Sequence, residues 1–196
     1  MPTFQVDPSG RRNPKRLTQR APERRIQDLL LHNPRLLGHP SDVKPRRIIW
    51  FWHHSKGPGD LWGIDDRGHL VIVELKKRLG SRDESKAASQ IRRAARLGQR
   101  WKRKVIAEKY RWMKSQYGLR GGGDFAREFH QRTGRSLHLK LSDPYLYIVA
   151  GHYTNKGARA VRRRGRRRLR EIRFVMMYEI QVPGRRGACV VATERL

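Results

Sequence analysis

The stretch Pro58-Gly59-Asp60-Leu61-Trp62-Gly63-Ile64-Asp65-Asp66-Arg67-Gly68-His69-Leu70-Val71-Ile72-Val73-Glu74-Leu75-Lys76 decides how this chain is read. Leu70 to Val73 is apolar on both faces of an extended chain, which predicts a central, buried strand. That strand nevertheless ends in Glu74 and Lys76, two residues apart and so on one face. Charges in such a place are costly unless they are paired or hold a metal.

The preceding residues form the other arm of a hairpin. With Asp66-Arg67-Gly68 as a three-residue loop and Gly68 in the left-handed conformation, Asp65 faces His69 and Asp60 faces Glu74. Directly opposed residues share a face, with Cβ atoms about 5 Å apart. Two carboxylates so close repel each other unless a cation lies between them. Mg²⁺ suits the pair, because it takes one or two carboxylates together with waters and substrate phosphates. Mn²⁺ is expected to substitute. Lys76, one step further along the same face, then stands where a metal-bound water attacks. A slip of one residue in the loop register removes this arrangement.

Two polar residues elsewhere point the same way. A helix opening at Pro22 carries Glu23 on the face of Ile26, Gln27 and Leu30 and stops near Asn33-Pro34. Further on, Gln90 lies beside the apolar stripe of Ala87, Ile91, Ala94, Ala95, Trp101 and Val105. Each has a plainer reading: Glu23 as a carboxylate favoured by the helix dipole, Gln90 as a boundary residue.

The ordered set resembles the PD-(D/E)xK nuclease superfamily, with Asp60 before the hairpin and Glu74-Leu75-Lys76 ending its second strand. Gly59-Asp60-Leu61, Gly63-Ile64-Asp65, Val73-Glu74-Leu75-Lys76-Lys77 and the Ala-rich helix with Gln90 are most similar to NucS/EndoMS-like and other RecB-like nuclease domains. The resemblance covers residues 22–106. It implies a restriction-endonuclease-like α/β core, a mixed central sheet flanked by helices. It also implies that Asp60 and Glu74 bind the metal, that Lys76 assists the nucleophilic water, and that Glu23 and Gln90 support the site. The chain departs from the pattern at Ala94, where RecB-like members often carry Tyr, and in the Gly inserted between Pro58 and Asp60.

Charge supplies the partner. The 196 residues hold 46 Lys+Arg against 17 Asp+Glu, a formal net charge of +29, and 34 of the cations are Arg. A compact chain so charged repels itself unless a polyanion shares the charge, and Arg forks match phosphate oxygens. Nucleic acid is that polyanion, DNA first and RNA as the alternative. Arg92, Arg93 and Arg96 on the long helix and Arg162, Arg163, Arg164, Arg166, Arg167 and Arg168 further on are the expected phosphate contacts. The stretch 158–170 alone has eight Arg. The competing reading of these clusters is a solvated basic surface.

The rest of the chain sets the frame. Residues 1–20 mix Pro, Gly, Ser and Arg and read as a disordered basic arm, leaving 21–196 as one domain. Strands are expected at Arg47–Trp52, 60–65, 69–76, Tyr145–Ala150, Ile172–Val182 and Ala188–Thr193, with one long helix from Ala87 to Met113 and a short one after Asp124. The order is mixed α/β. The five Trp read mostly as core, and His69 as solvated. No apolar run of about 18 residues suits a membrane span, and no apolar stretch opens the chain, so the expected location is the cytoplasm, on the nucleoid in a prokaryote. The single cysteine excludes an internal disulfide or a cysteine-based zinc cluster. A homodimer is compatible with all of this. The function expected is that of a Mg²⁺-dependent DNA endonuclease. Its rivals are a non-catalytic nucleic-acid-binding protein that keeps the fold, and an RNA-associated assembly factor whose acid cluster is structural.

Overall fold

The computed structural model describes residues 23–32, 37, 47–53, 58–76, 80–116, 124–150, 172–181 and 188–194. The basic arm at 1–20 and the Arg segment at 158–170 lie outside them. The elements run α1 (Glu23–His32), β1 (Ile48–His53), β2 (Leu61–Asp65), β3 (His69–Lys76), α2 (Ser81–Gln99), α3 (Arg103–Gln116), α4 (Phe125–Thr133), β4 (Lys140–Ala150), β5 (Ile172–Gln181) and β6 (Ala188–Glu194). This is a mixed α/β fold with a six-stranded sheet in the order β1-β2-β3-β4-β5-β6.

The sheet changes character at β3. β1, β2 and β3 form an antiparallel meander, β3, β4 and β5 run parallel, and β6 returns antiparallel to β5. The parallel step from β3 to β4 needs a long crossover, which α2, α3 and α4 supply. β3 is therefore flanked on both edges, and Leu70 to Val73 are all buried.

The hairpin has the expected register. Leu61 pairs with Val73, Trp62 with Ile72, Gly63 with Val71 and Ile64 with Leu70. Gly68 takes φ +87° in the turn, and its amide donates to Asp65 O at 3.0 Å. A side chain there is doubly forbidden, because its Cβ would stand 1.8 Å from His138 O. Asp65 is fully buried: its Oδ1 accepts the amides of Arg67 and His69, and its Oδ2 lies 3.4 Å from His69 Nδ1. His69 is thus half-buried against a carboxylate rather than solvated, because the turn folds its ring back onto Asp65.

The long helix expected from Ala87 to Met113 is two helices. The break falls at Arg100–Lys102, where Arg100 N donates to Leu97 O and Trp101 N to Gly98 O. Packing explains it. Gly98 is pressed against Leu70 and Trp62, where a Cβ would lie 2.5 Å from a Leu70 methyl. Trp101 then turns inward and stacks on Trp62 with ring centroids 4.5 Å apart. Burying that indole decides the path where helical periodicity would have run on.

Other boundaries also differ. β4 begins at Lys140 rather than Tyr145, since Lys140 N donates to Gly68 O and starts the parallel ladder early. Asp124 holds the N-cap position of α4 without a side-chain capping bond. Trp112 is 43% exposed, not core.

Candidate active site

β2 and β3 bring the acidic pair together at the end of the hairpin away from the turn. Asp60 N donates to Val73 O at 2.8 Å rather than to Glu74, so the regular register ends at Leu61–Val73 and shifts at Asp60. This is contrary to the direct Asp60–Glu74 opposition expected from the loop; the two carboxylates still lie close enough to interact. Alternation places Trp62 and Ile64 on the same face as Leu70, Ile72, Glu74 and Lys76. The apolar members of this row carry the C-terminal end of α2, through Gly98.

Each carboxylate has defined partners. Asp60 Oδ2 accepts the Leu75 amide at 2.6 Å. Glu74 is 2% exposed; its Oε1 meets Lys76 Nζ at 2.6 Å and its Oε2 accepts the Gly59 amide at 3.1 Å. Gly59 can aim that amide because it adopts φ +81°, which L side chains rarely take. The electrostatics follow. Burial, and then the Glu74 charge, push the Asp60 carboxyl from 3.8 up to about 7, against the Leu75 amide and Lys76, which favour the anion. The site therefore resists a second negative charge beside the Glu74–Lys76 pair.

The remaining expected residues are placed as follows. Glu23, at the first turn of α1, is exposed rather than part of the apolar stripe, because Ile26 and Leu30 take the buried positions. It is still near enough to raise the Asp60 carboxyl slightly. Gln27, one turn on, bonds His53 Nδ1 at 2.9 Å. Gln90 lies eight residues before Gly98, about 12 Å along the helix axis. Glu74 lies four residues beyond Leu70, about 13 Å along the strand. With Gly98 seated on Leu70 and α2 running back along β3, Gln90 comes to the strand level of Glu74. Its Oε1 is buried without a hydrogen-bond partner. Arg93 and Arg96 are exposed, whereas Arg92 is half-buried with its Nε unpartnered.

The donor set fits a hard divalent cation. Among the described residues no three His, Cys, Asp or Glu side chains gather, so any ion here rests on the two carboxylates. Asp60, whose carboxyl is pushed up by burial and then by the Glu74 charge, and Glu74 offer hard oxygen donors of the kind Mg²⁺ takes together with waters and phosphate oxygens.

No protein-family model matches the chain, and no curated protein matches it. Among solved structures it is similar to a repair endonuclease from Pyrococcus abyssi, at a TM-score of 0.34 and 16% identity, over 74% of this chain and 44% of that one. The chain thus spans less than half the length of that structure. No helix among the described residues is long and apolar enough to cross a membrane.

Two features of the site escape sequence reading. One is the pair of backbone amides, Gly59 and Leu75, that orient the carboxylates; the positive-φ glycine beside Asp60 was the available signal. The other is an aromatic patch where β1 ends, with His53 paired to Leu61 next to Asp60. There Trp52 and the exposed Trp112 lie 4.8 Å apart, and Lys109 Nζ sits 3.5 Å over the Trp52 ring, its pKa lowered by burial. The spacing of Trp112 on α3 resembles that of a core residue, which hides its exposure.

Proposed function

We propose that the protein is a divalent-metal-dependent nuclease of the restriction-endonuclease-like fold, acting on DNA. The observation that carries this reading is the closeness of the Asp60 and Glu74 carboxylates at the end of the hairpin, with Lys76 paired to Glu74. Asp60 and Glu74 would hold Mg²⁺, which supplies charge neutralisation at a phosphate and an acidified water. The chain's own residues do the rest. The Gly59 and Leu75 amides fix one oxygen of each carboxylate, so the pair is oriented before substrate arrives. Lys76 holds its ammonium against Glu74 and can donate a hydrogen bond to a water or phosphate oxygen that enters beside it. The exposed Arg93 and Arg96, and the Arg segment beyond Val161, supply phosphate contacts that position the strand without reading its sequence.

The closed hydrogen bonding of Glu74 favours one alternative, a nucleic-acid-binding protein in which the same residues form a structural ion pair. A gel assay separates the two. Duplex, nicked, branched, mismatched and single-stranded DNA are incubated with the protein in Mg²⁺, Mn²⁺ or EDTA. Cleavage of any substrate that EDTA abolishes supports the nuclease. Tight binding with no cleavage in either metal supports the alternative.

A further inference from the structure

A second site lies at the opposite end of the hairpin. Gly68 is six residues from Glu74 along β3, about 20 Å away. A cavity of about 710 Å³ opens there, lined by Arg67 from the β2–β3 turn, Phe129 from α4, and Arg135, His138 and Lys140 from the segment leading into β4. That volume lies within the range of small-molecule pockets.

Its walls are fixed in advance. Thr133 Oγ1 donates to Phe129 O at 2.7 Å and accepts the Arg135 amide at 3.1 Å, while Gly134 N closes α4 onto His130 O at 2.7 Å. Lys140 N bonds Gly68 O at 2.7 Å, which joins the segment to the turn. The charges around this rigid concavity are not balanced. Arg67, Arg135 and Lys140 form no ion pair with a carboxylate among the described residues, and Asp66 is the single acidic side chain in the lining. All three cations are exposed around one concavity and outnumber Asp66, so the concavity is net positive and favours an anion. Phe129 is buried and closes the floor of the concavity, leaving the exposed cations to meet a ligand.

We infer that this cavity binds a phosphate-bearing nucleotide unit of a nucleic-acid strand, as an anchoring site separate from the carboxylate pair. Arg67, Arg135 and Lys140 grip the phosphate. The inference rests on the nucleic-acid partner proposed above but not on cleavage.

The test is done in EDTA on the full chain, so that catalysis plays no part. Inorganic phosphate is titrated while the backbone amides of Gly68, Ser136, His138 and Lys140 are followed by NMR, and a DNA oligonucleotide is then titrated in the same way. Both ligands should move these amides. Replacing Arg135 and Lys140 with Gln should abolish the phosphate shifts. It should also reduce the salt slope of DNA binding by about 0.9 for each phosphate that is no longer neutralised. Arg135→Lys, which keeps the charge, should retain the slope. Absence of phosphate shifts in the wild type overturns the site. Phosphate shifts without DNA shifts overturn the nucleic-acid assignment and point to a free phosphorylated compound. DNA shifts in a protein that never cleaves leave the anchor standing and remove the nuclease instead.

Discussion

Lys76 Nζ lies 2.6 Å from Glu74 Oε1, and the two residues are neighbours on one face of a central strand whose Glu74 is 2% exposed. A cation held at that position has two uses: it compensates a buried charge, and it presents hydrogen-bond donors to whatever binds the carboxylates. The uses separate on mutation. Lys76→Ala leaves Glu74 short of a partner, at a cost of about 1–3 kcal/mol. For a chain of this size that is a fall in Tm of about 2–4 °C per kcal/mol. The nuclease reading predicts in addition a loss of cleavage in the folded variant, at temperatures well below its Tm. Melting and turnover measured on one preparation decide the matter, and a lowered Tm with unchanged turnover would mark the pair as structural.

Asp60 makes stability depend on pH in an unusual direction. The unfolded chain loses this proton near 3.8, whereas the folded chain keeps it until about 7. Between those values the unfolded state binds fewer protons, so the contribution of Asp60 to stability falls as pH rises. Asp60→Asn should remove that slope and stabilise the protein at pH 8. A ligand that binds only the folded state also stabilises it. Mg²⁺ should therefore raise the Tm of the wild type at pH 8 and leave that of Asp60→Asn unchanged. Melting curves across pH 4–8, with Mg²⁺ or EDTA, test both statements; equal Mg²⁺ responses in the two proteins would remove Asp60 from the ligand set.

The meander was legible in the sequence because a hairpin's loop fixes its register and β alternation does the rest. Gly68, at the third loop position, is enough to set Leu61 against Val73, whereas the register shift at Asp60 has no signal in the sequence. What could not be read are the choices made by tertiary packing. The helix break at Arg100–Lys102 depends on Trp62, some forty positions earlier, offering a ring for Trp101 to stack on. The early start of β4 depends on a bond between Lys140 and Gly68. Glu23 was assigned to the apolar stripe because helical spacing gives a face but not how far burial extends at a first turn. The Leu75 amide has no side-chain signature, and that of Gly59 is signalled only by the glycine itself.

Gly98 gives that packing argument a direct check. Replacing it with Ala gains about 1 kcal/mol of helix propensity. The new methyl, however, would lie 2.5 Å from a Leu70 methyl and 2.8 Å from Trp62 Cζ3. Overpacking of a filled core costs about 1–3 kcal/mol. The rigid indole leaves little room for relief, so the clash should win and Gly98→Ala should melt below the wild type. A higher Tm would show that α2 can move off the sheet freely.

Arg93 and Arg96 are exposed on α2 and free to meet phosphate, unlike Arg92. Replacing both with Gln should reduce the slope of log K against log salt by up to about 1.8 if each contacts one phosphate of a duplex. Relative preference among sequences should stay the same, since such contacts carry no base information. Binding isotherms at several salt concentrations measure this directly, and an unaltered slope would assign the electrostatics to the Arg162–Arg168 segment.

The central claim is that Asp60 and Glu74 together hold the ion that drives phosphodiester hydrolysis. Its most direct test is single-turnover cleavage of bound DNA in Mg²⁺ by the wild type, Asp60→Asn and Glu74→Gln, with DNA affinity measured alongside. Both substitutions keep side-chain shape, remove the charge and turn one carboxylate oxygen into an NH₂ group. The account predicts cleavage by the wild type, none detectable by either variant, and DNA affinity that is not weakened. Cleavage at the wild-type rate by both variants would contradict it.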